Sequence, residues 1–212
     1  MNVFVLTTGR SGSLTFAEAC RHISNYSTGH ETRVGLIGPD RLAYPPDHIE
    51  VDNRLAWFPG RLEAAYGDDA FYLHLRRDAE ATAASMARRW SKPAMRSYRQ
   101  GILWDVDPAT DRVALARDLV ETLDSNILHF LRDKSESMTI DIETATASFP
   151  TFWQRIGAEG DLEAALAELG SRHHEGMSAR TTPRPSSGTD QRAPKNERGW
   201  RRWKAPRLGR GG

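Results

Sequence analysis

Residues 3–16 read Val3-Phe4-Val5-Leu6-Thr7-Thr8-Gly9-Arg10-Ser11-Gly12-Ser13-Leu14-Thr15-Phe16. An apolar run suited to a buried strand leads into a tight polar loop with two glycines, and the loop leads into a helical pattern. Glycines let the backbone turn successive N–H groups toward one point, and a helix N-terminus adds positive potential at the same place. The segment therefore predicts an anion site where the first strand meets the first helix. It is not a Walker A loop, Gly-x-x-x-x-Gly-Lys-[Ser/Thr], because Ser13 rather than lysine follows Gly12. Arg10 supplies the cation instead. Taken alone, the segment also fits an ordinary strand-to-helix turn.

Working outward, further strand-like runs occur at Val3–Thr7, Ile49–Asp52, Phe71–Leu75 and Met138–Ile142, with a weaker one at Tyr26–Gly29. Helical patterns separate them. Ser13–Ile23 puts Phe16, Cys20 and Ile23 on one stripe, and Arg112–Arg132 carries Leu115, Leu119, Leu123, Ile127 and Leu131 at near-helical spacing. Asp78–Trp90 is Ala-rich, with Asp78 suited to the N-cap and Glu80 to the first turn. Shorter helices are expected at Phe149–Ile156 and Asp161–Leu169, with Gly157 and Gly170 as terminators. Alternating strands and helices predict an α/β fold, a mostly parallel sheet with helices on both faces.

At 212 residues, 39% hydrophobic and 27% charged, the chain suits one soluble domain. Its single cysteine, Cys20, rules out an intramolecular disulfide and a multi-thiolate zinc site, and its position four residues after Phe16 reads as a small buried hydrophobe. With no signal-like leader and no apolar stretch near the length of a membrane span, the expected location is cytoplasmic. The net charge of +1 hides an asymmetry. Residues 179–212 hold ten Arg/Lys and two Asp/Glu, a charge of +8, while residues 1–178 hold 19 basic and 26 acidic residues, a charge of −7. The expected organisation is an α/β domain over 1–178 and a basic tail over 179–212, too poor in apolar residues to offset its ordering entropy.

A second cluster lies at Phe71-Tyr72-Leu73-His74-Leu75-Arg76-Arg77-Asp78-Ala79-Glu80-Ala81-Thr82-Ala83-Ala84-Ser85, where Arg77 precedes Ser85 by eight positions. A guanidinium can clamp phosphate oxygens bidentately, and a hydroxyl can satisfy another. Together the two segments resemble the 5′-phosphosulfate loop and the 3′-phosphate motif of the sulfotransferase superfamily. The resemblance implies a three-layer α/β/α, P-loop nucleoside-triphosphate-hydrolase-like fold. It also implies 3′-phosphoadenosine 5′-phosphosulfate (PAPS) as sulfuryl donor. Arg10, Ser11, Gly12, Ser13, Leu14 and Thr15 would then serve its 5′ side, with Arg10 also acting on the bridging oxygen, and Arg77 and Ser85 its 3′ side.

Sulfuryl transfer to a hydroxyl or amine needs a group that takes the acceptor's proton. Gly29-His30-Glu31-Thr32-Arg33 resembles segments of tyrosylprotein and bacterial carbohydrate sulfotransferases, which implies Glu31 as base and Arg33 near the acceptor, with His30 as the alternative. Asp52, at the end of a strand, is a further candidate. No metal-ligand spacing appears, and none is expected; the adjacent His173 and His174 read as solvated. Trp57, Phe58 and Trp104 suit either an acceptor pocket or the core, and aromatics beside helices more often belong to the core. The tail segment Gly199-Trp200-Arg201-Arg202-Trp203-Lys204 suits contact with a polyanion. The competing readings are a P-loop nucleotide kinase or NTPase and a noncatalytic polyanion-binding protein.

Overall fold

The computed structural model describes residues 1–171. Within them Asn2–Leu6 (β1), Ser27–His30 (β2), His48–Val51 (β3), Ala70–Arg76 (β4) and Ser137–Asp141 (β5) form one sheet in the order β2-β3-β1-β4-β5. Every pairing is parallel. The seven α-helices among the described residues are Ser13–Cys20 (α1), Pro59–Tyr66 (α2), Ala79–Ala87 (α3), Pro93–Ser97 (α4), Arg112–Leu131 (α5), Ala145–Arg155 (α6) and Leu162–Gly170 (α7).

All five residues of β1 are buried, as a central strand covered on both faces requires. The two-residue period of the strand sorts its side chains into two cores. Val3 and Val5 join Phe71, Leu73 and Leu75 of β4 against α1, α6 and α7, where Phe16, Phe149 and Phe152 meet edge to face or tilted. Phe4 and Leu6 join Tyr72 on the opposite face against α2, α3, α4 and α5. The sheet is thus the middle of three layers. The stripes read from the sequence lie on these cores: Phe16, Cys20 and Ile23 on one, and Leu115, Leu119, Leu123 and Ile127 on the other, with Leu131 partly buried beside them.

Aspartates start three of the helices. Asp78, Asp111 and Asp161 each accept from main-chain N–H groups two or three residues on, at 2.7–3.0 Å. Departures from the sequence reading have local causes. α1 stops at Cys20 because residues 22–24 turn aside to bond the 159–161 segment, through Ser24 N–H to the Glu159 carbonyl and Asp161 N–H to the His22 carbonyl. α6 begins four residues before Phe149 and carries Pro150 in its second turn, where the ring removes the main-chain donor to residue 146. Gly170 closes α7 as its last helical residue rather than following it. α2 and α4 were not foreseen: each opens with proline and buries a single residue, Leu62 or Met95, so neither has an amphipathic stripe to read.

No helix among the described residues is long and apolar enough to cross a membrane. The expected tail at 179–212, the boundary at 178, and His173 and His174 lie outside the described residues. The two faces of α5 give a direct check, since Ile127 is 1% exposed and its neighbour Leu128 is 52% exposed. Ile127→Ala should cost about 2–5 kcal/mol in urea unfolding, and Leu128→Ala no more than about 0.5 kcal/mol. Equal effects would mean that α5 is rotated from this packing.

Candidate functional site

Parallel pairing aligns the carboxyl ends of four strands. Leu6 is level with His74, and Val51 is level with both Val5 and His30. The residues that leave the sheet there are Thr7–Gly12 after β1, Glu31 after β2, Asp52 and Asn53 after β3, and Arg77 after β4. In open α/β sheets this edge is where ligands bind.

The loop after β1 is held from within. Thr7 and Ser11 are fully buried, their hydroxyls bond each other, and Gly9 N–H donates to Thr7 Oγ1 at 3.3 Å. The Ser11 hydroxyl therefore faces into the loop, leaving its main-chain N–H as the group it can offer outward. Gly12 caps α1 in the left-handed region at φ 77°, with no side-chain cap on the helix. A Cβ at that position would stand 2.6 Å from Ile142 Cγ1, so the turn needs glycine on both counts. The first turn of α1, Ser13, Leu14 and Thr15, thus presents an uncapped helix end, where main-chain donors and the helix dipole favour an anion. Leu14 itself is exposed.

Arg10 crosses from this loop to α3, where its Nε donates to Ser85 Oγ at 3.2 Å. Arg77 Nη1 donates to the Arg10 carbonyl at 3.0 Å, and its Nε lies 3.9 Å from Glu143. The two segments read separately in the sequence are therefore joined through Arg10, Arg77 and Ser85. Burial, and then the charges of Arg89, Arg77 and Arg88, hold the Arg10 guanidinium below its ordinary value. Among the described residues no carboxylate lies within ion-pair distance of Arg10, Arg88 or Arg89. Four like charges gathered here, three of them without a carboxylate at ion-pair distance, favour a bound anion. Arg88 and Arg89, at the end of α3, carry no motif in the sequence; their alignment with Arg10 depends on how α3 packs.

Glu31 stands at the mouth of the same edge. Its N–H continues the sheet by donating to the Val51 carbonyl at 3.1 Å, and its φ of 54° turns the chain sharply away. Asn53 Nδ2 donates to Glu31 Oε1 at 3.1 Å, and Arg54 Nη1 pairs with Oε2 at 2.7 Å. Both partners come from the 3-10 turn Asn53–Trp57, and neither was anticipated from sequence. His30 Nε2 lies 3.1 Å from Ser13 Oγ, so it touches the first turn of α1. The turn between them is braced by Glu50 on β3. Its buried carboxylate accepts from Thr32 N–H at 2.7 Å and Thr32 Oγ1 at 2.6 Å, and lies 3.0 Å from His48 Nε2.

Two sequence expectations end elsewhere. Arg33 donates from Nη1 to the Asp40 carbonyl at 2.9 Å and stacks on Tyr44, and Arg54 takes the place beside Glu31. Asp52 is fully buried, pairs with Arg41 at 2.5 Å and accepts from Arg54 N–H at 2.8 Å. It has no face open to an acceptor; its work is to start the turn that carries Asn53 and Arg54.

Two cavities share Thr8. One of about 440 Å³ is lined by Arg77, His74, Asp124 and Glu143 among others, and a mainly apolar one of about 510 Å³ reaches Asn53, Arg54, Trp57 and Phe58. Trp57 packs on the core while also facing the apolar cavity. Trp104 belongs to neither, being 89% exposed, because the chain from Leu103 to Asp111 runs over the surface without a helix to hold it down. Cys20 is buried, and desolvation pushes its thiol up, out of the range of a reactive thiolate. Among the described residues no three His, Cys, Asp or Glu side chains gather to hold a metal ion.

No protein-family model matches the chain, and no curated protein matches it in sequence. Solved structures do. The sulfotransferase domain from the curacin biosynthetic pathway superposes at a TM-score of 0.57 with 15% identity, over 79% of this chain and 75% of that one. The mouse sulfotransferase SULT7A1, solved in complex with PAP, superposes at 0.51 with 14% identity, over 79% of this chain and 62% of that one. Identities this low speak for architecture alone, and the architecture agrees with the parallel sheet and its helical layers: the chain has the fold of the sulfotransferase superfamily.

Proposed function

We propose that the protein is a sulfotransferase that moves a sulfuryl group from PAPS to a hydroxyl or amine acceptor. The observation that carries this reading is the meeting of Arg10, Arg77 and Ser85 at the carboxyl edge of β1 and β4, beside the uncapped start of α1. A donor with phosphates at both its 5′ and 3′ positions supplies the two anions such a site calls for.

In this reading the main-chain donors of residues 11–15 hold the 5′ phosphosulfate, and Arg77 and Ser85 the 3′ phosphate. Arg10 lies between them and neutralises charge that develops on the bridging oxygen as the sulfur–oxygen bond breaks. The acceptor oxygen or nitrogen attacks sulfur in line, its bond to sulfur forms, and the nucleoside bisphosphate leaves with the electron pair. Glu31 receives the acceptor's proton. Asn53 and Arg54 fix its carboxylate while leaving lone pairs free for that contact. His30, tied to Ser13 on the donor side, is the alternative base.

The kinase or NTPase reading draws less support, because the strand-end carboxylates that would hold a metal ion face arginines: Asp52 pairs with Arg41 at 2.5 Å, and Asp141 lies 3.7 Å from Arg76. The polyanion reading rests on the tail, outside the described residues.

Calorimetry should find 3′-phosphoadenosine 5′-phosphate bound at least about tenfold more tightly than ADP, a difference of about 1.4 kcal/mol, and Arg77→Ala should erase that preference. Equal affinity for the two nucleotides, or none for either, would remove the donor assignment. Glu31→Gln should lower kcat for sulfuryl transfer by about 10²–10⁴ with bisphosphate affinity unchanged. A full rate in that variant and a comparable loss in His30→Ala would move the base to His30.

A further inference from the structure

The geometry points to a neutral, largely apolar alcohol as the acceptor, held in the cavity of about 510 Å³ beside Thr8. This inference rests on the reading of Glu31 and Arg10 as the transfer site, and it names what that site acts on. The volume falls within the roughly 300–1,000 Å³ usual for small-molecule pockets.

The cavity is polar at one end and apolar elsewhere. Thr8, Asn53 and Arg54 mark the polar end. Asn53 and Arg54 are the two residues that grip Glu31, and Asn53 Nδ2 lies 3.1 Å from where a Cβ on Gly9 would stand, so this end adjoins both the proposed base and the phosphate loop. The remaining wall is chiefly Trp57, Phe58, Met86, Ile102, Leu119 and Leu123. Tyr98 contributes its ring rather than its hydroxyl, which donates to Asp118 Oδ2 and meets Thr122 Oγ1. A molecule seated here would set one hydroxyl at the polar end, within reach of Glu31, and bury its remainder against hydrocarbon.

The lining also rejects other acceptor classes. A saccharide would bring several hydroxyls against the apolar wall with few partners, and each would lose its water without compensation. A charged acceptor body would likewise lose its water against the apolar wall. The lining thus favours a single hydroxyl on an apolar body.

Binding of 2-naphthol, followed by its own fluorescence in the absence of any donor, tests the cavity apart from the transfer reaction. The expected result is saturable binding at least about tenfold tighter than that of methyl glucoside measured by calorimetry. Ala94 and Ser97 line the cavity from exposed positions on α4, so bulky residues there block it without disturbing the core. Ala94→Trp, and independently Ser97→Trp, should weaken 2-naphthol binding by about tenfold or more and leave affinity for 3′-phosphoadenosine 5′-phosphate within about twofold. Naphthol binding that survives both variants, or methyl glucoside binding as tightly, would overturn the assignment. With radiolabelled PAPS, sulfation of a saccharide but not of naphthol would sink the acceptor class while leaving the transferase reading intact. Naphthol binding that both variants abolish, in a protein that binds no bisphosphate, would do the reverse: the cavity stands as an apolar-alcohol site and the transferase reading falls.

Discussion

The site depends on the parallel pairing of β1 with β3 on one side and β4 on the other. Register along these strands is fixed by burial on both faces, since a slip of one residue would exchange Val3 and Val5 with Phe4 and Leu6 between two cores of different shape. With the register fixed, the strand ends are fixed too. The loop after β1, the Asp52 turn, Glu31 and Arg77 emerge at one edge, although they are spread over some seventy residues of chain. No contact within the site is as consequential as this alignment, because each of those contacts presupposes it.

The edge is also where the backbone departs from its relaxed conformations. Four non-glycine residues among those described have positive φ: Arg10, Glu31, Asp47 and Asp105. Such a conformation costs of order 1 kcal/mol each and persists where surrounding structure over-determines it. Two of the four are the cation of the loop and the carboxylate opposite it. Arg10 is held by Arg77 on its carbonyl and Ser85 on its side chain; Glu31 is held by Val51, Asn53 and Arg54.

Buried polar groups brace the edge. Glu50 joins Thr32 and His48, and a Cβ at Gly29 would come within 2.5 Å of Glu50 Oε2, so the chain passes that carboxylate only because residue 29 lacks a side chain. Arg41 and Asp52 form a second buried unit under the Asn53–Trp57 turn. Neither unit lines the cavities beside Thr8. Both set where Glu31, Asn53 and Arg54 are placed, and the apolar cavity next to them is lined by residues of α3, α4, α5 and the π-turn Tyr98–Ile102.

By itself the sequence determined the elements with strong local signatures: the apolar runs that became strands, the stripe of α5, the Asp78 cap, and the Gly-Arg-Ser-Gly-Ser loop, whose glycines and arginine already implied an anion. It determined the Arg77 to Ser85 spacing, which places one residue just after β4 and the other within α3. The tertiary structure decided which of these residues meet. It turned Ser11 inward to Thr7, drew Arg33 onto Tyr44, buried Asp52 against Arg41, and brought forward Asn53, Arg54 and Arg89, which carry no motif of their own. The physical reason is range. Strand periodicity, helix caps and turn glycines act over a few residues and can be read along the chain, whereas the partner of a charged side chain is chosen by sheet order and helix packing, which join positions far apart in sequence.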